Sequence, residues 1–291
     1  MNDLLGGALL LQLLRISVPY LFAALGGLWS ERSGVINIAL EGLLLAGAFG
    51  AAAGSLATGS GLAGLALGVL LAVALAALYG LVVIRFRADQ IVAGVAITLL
   101  ALGATRYFLK LLFDSSSNSP RVAATAGAEH WLLPVALLLV ITSHLLLHGT
   151  RLGLRLRAAG EHPEALRSVG VAVAPRRWFG VLASGLLTGL GGAWLAYNQH
   201  GFVAGMSAGR GFIALAAMIL GRWSPFGSLA ACLLFGAAET LQLQLQSAGL
   251  DLPSGLVQSI PYLATILALA IGPRGRAAAP QALGRPDDGD G

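Results

Sequence analysis

Three groups of polar residues in this chain could do chemistry, and each is embedded in apolar sequence. Asn37 and Glu41 stand four positions apart, which on a helix would place an amide and a carboxylate on one face. An ionisable group at membrane depth marks either a substrate pathway or a structural pairing, and both readings apply to Glu41, with Arg32 or a backbone amide as its structural partner. Glu239, Gln242 and Gln246 recur at helical spacing on a later segment, where they would line a cavity or bond neighbouring helices; bonding is the preferred reading. The third group is a polar island from Arg151 to Arg177 that carries six arginines. Inside it, Pro163-Glu164-Ala165-Leu166-Arg167-Ser168-Val169-Gly170 predicts a short helix. Proline suits the first helical position, Glu164 favours the first turn, and Gly170 can close the helix in a left-handed conformation. The rod would be roughly 10 Å long. Ala165, Leu166 and Val169 would share one face, an apolar one open to a partner.

Other chemistries lack their residues. The single lysine, Lys110, does not follow a glycine-rich loop, so no phosphate cradle is present and this chain cannot hydrolyse ATP. Cys232 stands alone, which leaves no disulfide framework and no cysteine metal site, and the five histidines are scattered. No cofactor, metal site or enzymatic activity is expected. A stacked, hydrogen-bonded ligand could draw on Phe22, Phe108, Phe212, Asn37 and Gln258 in an otherwise apolar pathway.

The elements that must position these residues are set by composition. Hydrophobic residues make up 57% of the chain and charged residues 11%, with a mean hydropathy of +0.81. Soluble domains average about 45–50% apolar and about 25% charged, so this is an all-α polytopic membrane protein. The net charge of +5 is orientation signal rather than a nucleic-acid footprint. Candidate spans fall near 7–28, 35–53, 62–84, 90–112, 131–148, 179–197, 211–221, 227–246 and 255–272, about nine in all. With the basic loop 150–178 inside, the amino terminus lies outside and the carboxyl terminus in the cytoplasm. Thirteen of the eighteen basic residues then fall on the cytoplasmic side. The start of the chain has no basic region ahead of its apolar stretch, which speaks against a cleaved signal peptide. Trp29, Trp131 and Trp223 lie near span ends, as interfacial anchors would. Gly189, Gly191 and Gly192 are read as close-packing residues. Residues 1–277 form the membrane domain, and 278–291, without a periodic apolar face, are read as a disordered tail.

Two spans resemble each other. Ser33–Leu45 can be laid against Ala208–Leu220, sharing Gly-x-x-x-Ile-Ala-Leu followed by aliphatics. Under the topology above the copies run in opposite senses, which predicts two inverted repeats with short glycine-interrupted segments.

Three blocks carry a family resemblance. Glu31-Arg32-Ser33-Gly34-Val35-Ile36-Asn37-Ile38-Ala39-Leu40-Glu41-Gly42 resembles the early signature of importer permeases of the ATP-binding cassette (ABC) class, in the group for branched-chain amino acids, ribose-type sugars and nucleosides. Gly160-Glu161-His162-Pro163-Glu164-Ala165 with Gly170 is similar to the coupling-helix motif of that class, with Leu166 where alanine is usual. Gly209–Ala216, Gly221 and Pro225-Phe226-Gly227 resemble its later block. The first string is most similar to the smaller permease of heterodimeric nucleoside or simple-sugar importers. The resemblance implies an ATPase-coupling role for Pro163, Glu164, Ala165, Leu166, Val169 and Gly170. It implies a nucleotide-binding ATPase subunit, a second homologous permease and an exterior substrate-binding lipoprotein as partners, in a bacterial inner membrane. Asn37, Glu41, Phe212, Glu239 and Gln242 are the substrate-pathway candidates. A branched-chain amino acid importer, a proton-coupled secondary transporter working through Glu41 or Glu239, and a passive channel are the alternatives.

Overall fold

The computed structural model describes residues 2–123, 128–247, 254–271 and 279–285. The described elements, apart from one isolated bridge, are helical: α1 (Asn2–Arg32), α2 (Leu40–Thr58), α3 (Gly61–Gly80), α4 (Gln90–Phe113), α5 (Ala128–Gly149), α6 (Arg151–Glu161), α7 (Pro163–Ser168), α8 (Ala174–Asn198), α9 (Arg210–Leu220), α10 (Pro225–Ser247) and α11 (Ser254–Ile271). A π-helical turn, Leu81–Arg85, extends α3. The starts of α4 and α6 carry side-chain caps. Asp89 accepts from the Ile91 and Val92 N–H groups at 2.9 Å, and the Thr150 hydroxyl accepts from Gly153 N–H at 3.1 Å.

Seven helical stretches among the described residues are long and apolar enough to cross a membrane: Leu9–Arg32, Leu40–Thr58, Gly61–Arg85, Gln90–Phe113, His130–Gly149, Ala174–Asn198 and Pro225–Ser247. The candidate span near 211–221 is the 11-residue helix α9. At about 1.5 Å per residue it covers only about half of a roughly 30 Å hydrocarbon layer. The candidate near 255–272 is α11, whose side chains are described only in part.

The core is built by α1, α2, α3 and α8, and small residues let their backbones touch. A Cβ on Gly47 would lie 2.8 Å from the Gly189 carbonyl oxygen, one on Gly54 2.9 Å from Gly64 Cα, and one on Gly192 2.2 Å from the Leu44 carbonyl oxygen. Without a hydrophobic drive between helices in lipid, such close van der Waals packing is what holds them together. Gly189, Gly191 and Gly192 all meet neighbouring helices in this way. Polar bonds lock the same core: the Ser55 and Tyr197 hydroxyls are 3.0 Å apart, and Trp194 Nε1 donates to the Arg15 carbonyl at 3.1 Å. Trp29 and Trp223 depart from the interfacial-anchor expectation. Both are buried, Trp29 donating to Ser143 Oγ on α5 at 3.1 Å and Trp223, in the turn after α9, to Glu31 Oε2 on α1 at 2.6 Å, so that each indole N–H has a buried partner on another element.

The two resembling segments both contain a left-handed glycine at the matched position, Gly34 (φ +96°) and Gly209 (φ +83°). They then part: 33–39 is a non-helical connection leading into α2, whereas helix starts at Arg210 directly after Gly209. Asn37 therefore precedes α2 rather than sharing a helical face with Glu41, because the turn at Gly34 delays helix onset to Leu40.

At the opposite end from the arginine island, residues 117–122 pair with 200–204. Ser119 N–H donates to the Phe202 carbonyl and Val122 N–H to the His200 carbonyl, both at 2.8 Å. This short antiparallel contact ties the loop after α4 to the one after α8.

Candidate functional site

The predicted short helix in the island is α7, with both ends finished as the sequence implies. Pro163 occupies its first turn beside Glu164. At the other end Gly170 is left-handed (φ +74°), its N–H donates to the Arg167 carbonyl at 2.9 Å, and the Val171 N–H donates to the Leu166 carbonyl at 3.1 Å. Those two bonds are the paired closure of a Schellman cap, which satisfies carbonyls that a free helix end leaves open.

The apolar face is divided differently from the sequence expectation. Leu166 is only 5% exposed and packs inward on Ala159 and Val173, whereas Val169 is 71% exposed. Glu164, Ala165, Arg167 and Ser168 are exposed with Val169. Leu166 therefore anchors α7 to the protein, and the outward surface is mixed charge around Ala165 and Val169.

Residues 279–285 lie against this region, in the stretch read from the sequence as a disordered tail. Ala282 N–H donates to the Gly160 carbonyl at 2.8 Å, Gly284 N–H to the Gly34 carbonyl at 3.2 Å, and Gln281 N–H to Glu161 Oε2 at 3.3 Å. Arg177 Nη1 donates to the Arg285 carbonyl at 2.9 Å. Two of these bonds join backbone to backbone and two use the Glu161 and Arg177 side chains, while Ala279 and Leu283 pack on the main core and Ala282 is buried. A cleft of about 400 Å³ separates the two segments, lined by Glu161, His162, Glu164, Arg167, Gln281 and Arg285 among others. Residue 278 and residues 286–291 lie outside the described residues.

The connection between α1 and α2 joins this surface to the bundle. Arg32 meets Glu161 at 3.4 Å and donates through Nε to the Trp223 carbonyl at 2.8 Å, while Glu31 accepts from the Trp223 indole. Gly160 packs so tightly on this connection that a Cβ there would lie 2.5 Å from the Arg32 carbonyl oxygen. Farther along, Glu41 Oε1 accepts from Gly209 N–H and Oε2 from Gly211 N–H, each at 2.7 Å. A carboxylate at a helix start satisfies open N–H groups and complements the helix dipole, so Glu41 closes the N-terminus of α9. The chain just beyond the other end of α9 is held through Trp223.

The remaining pathway candidates separate into two places. Asn37 is 0% exposed and donates to Ser184 Oγ on α8 at 2.7 Å. Glu239 on α10 forms an ion pair with Arg210 at 2.7 Å and accepts a hydrogen bond from the Tyr20 hydroxyl, which joins α1, α9 and α10. Phe212 is 46% exposed on α9, and Gln242 is half-buried one turn beyond Glu239. Glu41, Phe212 and Glu239 are thus brought together around the start of α9, while Asn37 faces α8. Phe22 is buried in the core, Phe108 is exposed, and the Gln258 side chain lies outside the described residues. Tyr20, Arg210, Ser184 and Trp223 were missed as partners, because each is far in sequence from the residue it serves and no local spacing signals it.

The sequence matches the family model described as the branched-chain amino acid transport system / permease component over residues 9–271. It is similar to the guanosine ABC transporter permease protein NupQ of Bacillus subtilis, 39% identical over 93% of this chain and 93% of the relative. It is also similar to the nucleoside ABC transporter permease protein NupC of Lactococcus lactis, 34% identical over 94% of each chain. A putative glucose ABC transporter permease protein of Haloferax volcanii is 32% identical over 86% of this chain and 87% of its own length.

Proposed function

This chain belongs to the permease family of branched-chain amino acid transport systems, and on that premise we propose that it forms the translocation path of an ATP-driven nucleoside importer. The observation that carries the reading is α7, a six-residue helix finished at both ends and displayed with Glu164, Ala165 and Val169 outward. A helix this short has little reason to persist alone. Its role in the proposal is to seat a nucleotide-binding ATPase subunit, which supplies the ATP chemistry that no glycine-rich phosphate loop in this sequence provides. In this reading the island faces the cytoplasm, the amino terminus lies outside, and the nine hydrophobic segments include two inverted repeats.

The contacts suggest how force would travel. Closure of the ATPase subunits would press on α7, which is fixed to α6 through Leu166 and Ala159. The end of α6 bears on the α1–α2 connection through Gly160 and the Glu161–Arg32 pair. The helix ends that flank that connection hold both ends of α9, through Glu41 of α2 at its start and Glu31 and Arg32 of α1 at Trp223. Moving the connection would reposition α9 and with it Phe212 and the Arg210–Glu239 pair, a rigid-body route to alternating access.

A second homologous permease would complete the path, with lipid covering the remaining apolar faces. An exterior binding lipoprotein would deliver ligand at the end where 117–122 meets 200–204. Phe212 offers a ring for a base, and Glu239 and Gln242 offer hydrogen bonds, the mixture a nucleoside requires in an apolar pathway. Glucose is the second substrate reading, from the name of the Haloferax relative. ATP-driven uptake of labelled guanosine by the reconstituted transporter, in competition with unlabelled adenosine, glucose or leucine, tests the proposal. Competition by adenosine alone is expected; competition by glucose or leucine and not by adenosine contradicts the nucleoside reading.

A further inference from the structure

We infer that residues 279–285 form the second wall of the surface that receives the ATPase subunit, so that the partner is gripped by α7 and this returning segment together. The inference rests on the docking role proposed for α7. The segment is held at four points: the Gly160 carbonyl, Glu161, the Gly34 carbonyl and Arg177. Ala282 is buried, whereas Gln281 is exposed and Arg285 is exposed beside the cleft.

The chemistry of the cleft favours a protein surface bearing both charges. Glu161 and Glu164 stand on its α6–α7 side with Arg167, and Arg285 stands on the opposite wall. A single-sign ligand such as a phosphate would meet carboxylates as well as guanidinium groups. A partner with interleaved acidic and basic residues meets its complement on each wall, and such patterning fixes register and orientation. Pro163 and Ala165 in the cleft lining supply apolar contact, and Val169 is exposed at the end of α7. The wall also touches the moving parts, because Gly284 bonds the same Gly34 turn on which Gly160 packs. A partner bound to both walls would press on α7 and on the α1–α2 connection at once.

The test places a photo-crosslinking amino acid at Gln281, at Ala165 on α7, or at Leu62 at the opposite end, in the full-length chain within native membranes. Adducts are identified by mass spectrometry. Gln281 and Ala165 are both expected to capture the same nucleotide-binding subunit, and Leu62 is not. Gly284→Val in the Gln281 background should reduce that adduct about tenfold, as about 1.4 kcal/mol of lost docking would. Gly284 has φ +78°, and a Cβ there would lie 2.9 Å from Ile36 Cδ1, so the substitution dislodges the segment. The Ala165 adduct should persist in the same variant. Capture from Ala165 but not from Gln281 overturns this inference and leaves the α7 reading standing. Capture of an ATPase from neither position overturns both.

Discussion

Glu41 accepts a hydrogen bond from the Gly211 N–H at 2.7 Å, although 170 positions separate the two residues. The same carboxylate takes the Gly209 N–H, so a residue inside the first family block closes a helix inside the last one. The approach depends on the absence of a side chain at Gly211, where a Cβ would lie 2.4 Å from the Glu41 backbone nitrogen.

Glu41→Ala would leave two helix-start N–H groups without acceptors, one buried at Gly211 and one partly buried at Gly209. Bonds to a charged group contribute about 1.5–3 kcal/mol, so a loss of about 3 kcal/mol in stability is expected. Gly211→Ala should also destabilise, by backbone collision. Gly103→Ala is the control: nothing lies within 4 Å of a Cβ there, and alanine in a helix is favoured over glycine by roughly 0.5–1 kcal/mol. Thermal unfolding in nanodiscs should show opposite signs at the two glycines.

Leu166→Asp and Val169→Asp should separate folding from docking. The first buries a charge beneath α7 and should lower both the unfolding temperature and uptake. The second changes an exposed position, so unfolding should be unaltered while ATP-driven uptake falls about tenfold through weaker partner binding. Glu164→Arg should resemble Val169→Asp. Equal effects of both aspartates on unfolding would contradict the assigned faces.

Gly170→Ala should weaken the cap of α7, because its left-handed backbone disfavours a Cβ, at a cost of about 1 kcal/mol. Gly170→Asn should cost less, since asparagine tolerates that conformation. ATPase stimulation by permease is expected to rank glycine above asparagine above alanine.

The Arg210–Glu239 pair is largely enclosed, with side-chain exposures of 21% and 15%. Breaking a buried pair by removing one partner costs about 3–5 kcal/mol, and this partly exposed pair should lie below that range. Arg210→Met and Glu239→Met together should cost less than the sum of the single changes, as measured by a double-mutant cycle on thermal unfolding. Additive costs would show that the two charges do not interact.

Legibility in the sequence followed the range of the interaction. Pro163 and Gly170 announce α7 because a proline start and a left-handed glycine end are local properties, and the seven long spans follow from apolar length. The inward turn of Leu166 was not legible, since it depends on Ala159 and Val173 packing beneath it. Helical spacing paired Asn37 with Glu41, but the turn at Gly34 postpones α2 to Leu40 and sends Asn37 toward Ser184. A structural role for Glu41 with a backbone amide was one of the two readings available, yet its partners lie more than half the chain away. The docking of residues 279–285 rests on bonds to Gly160, Glu161, Gly34 and Arg177, each more than 100 positions away, and on apolar contacts of Ala279 and Leu283 with the core, which local sequence does not signal.

The most direct measurement is guanosine uptake into sealed vesicles containing this permease, its second permease and the ATPase subunit, with the ATPase either included or omitted. Uptake is expected to need both ATP and the ATPase and to fall when Val169 is changed to aspartate. Uptake of undiminished rate without the ATPase, driven by a proton gradient or by the substrate gradient alone, would contradict the ATP-driven reading.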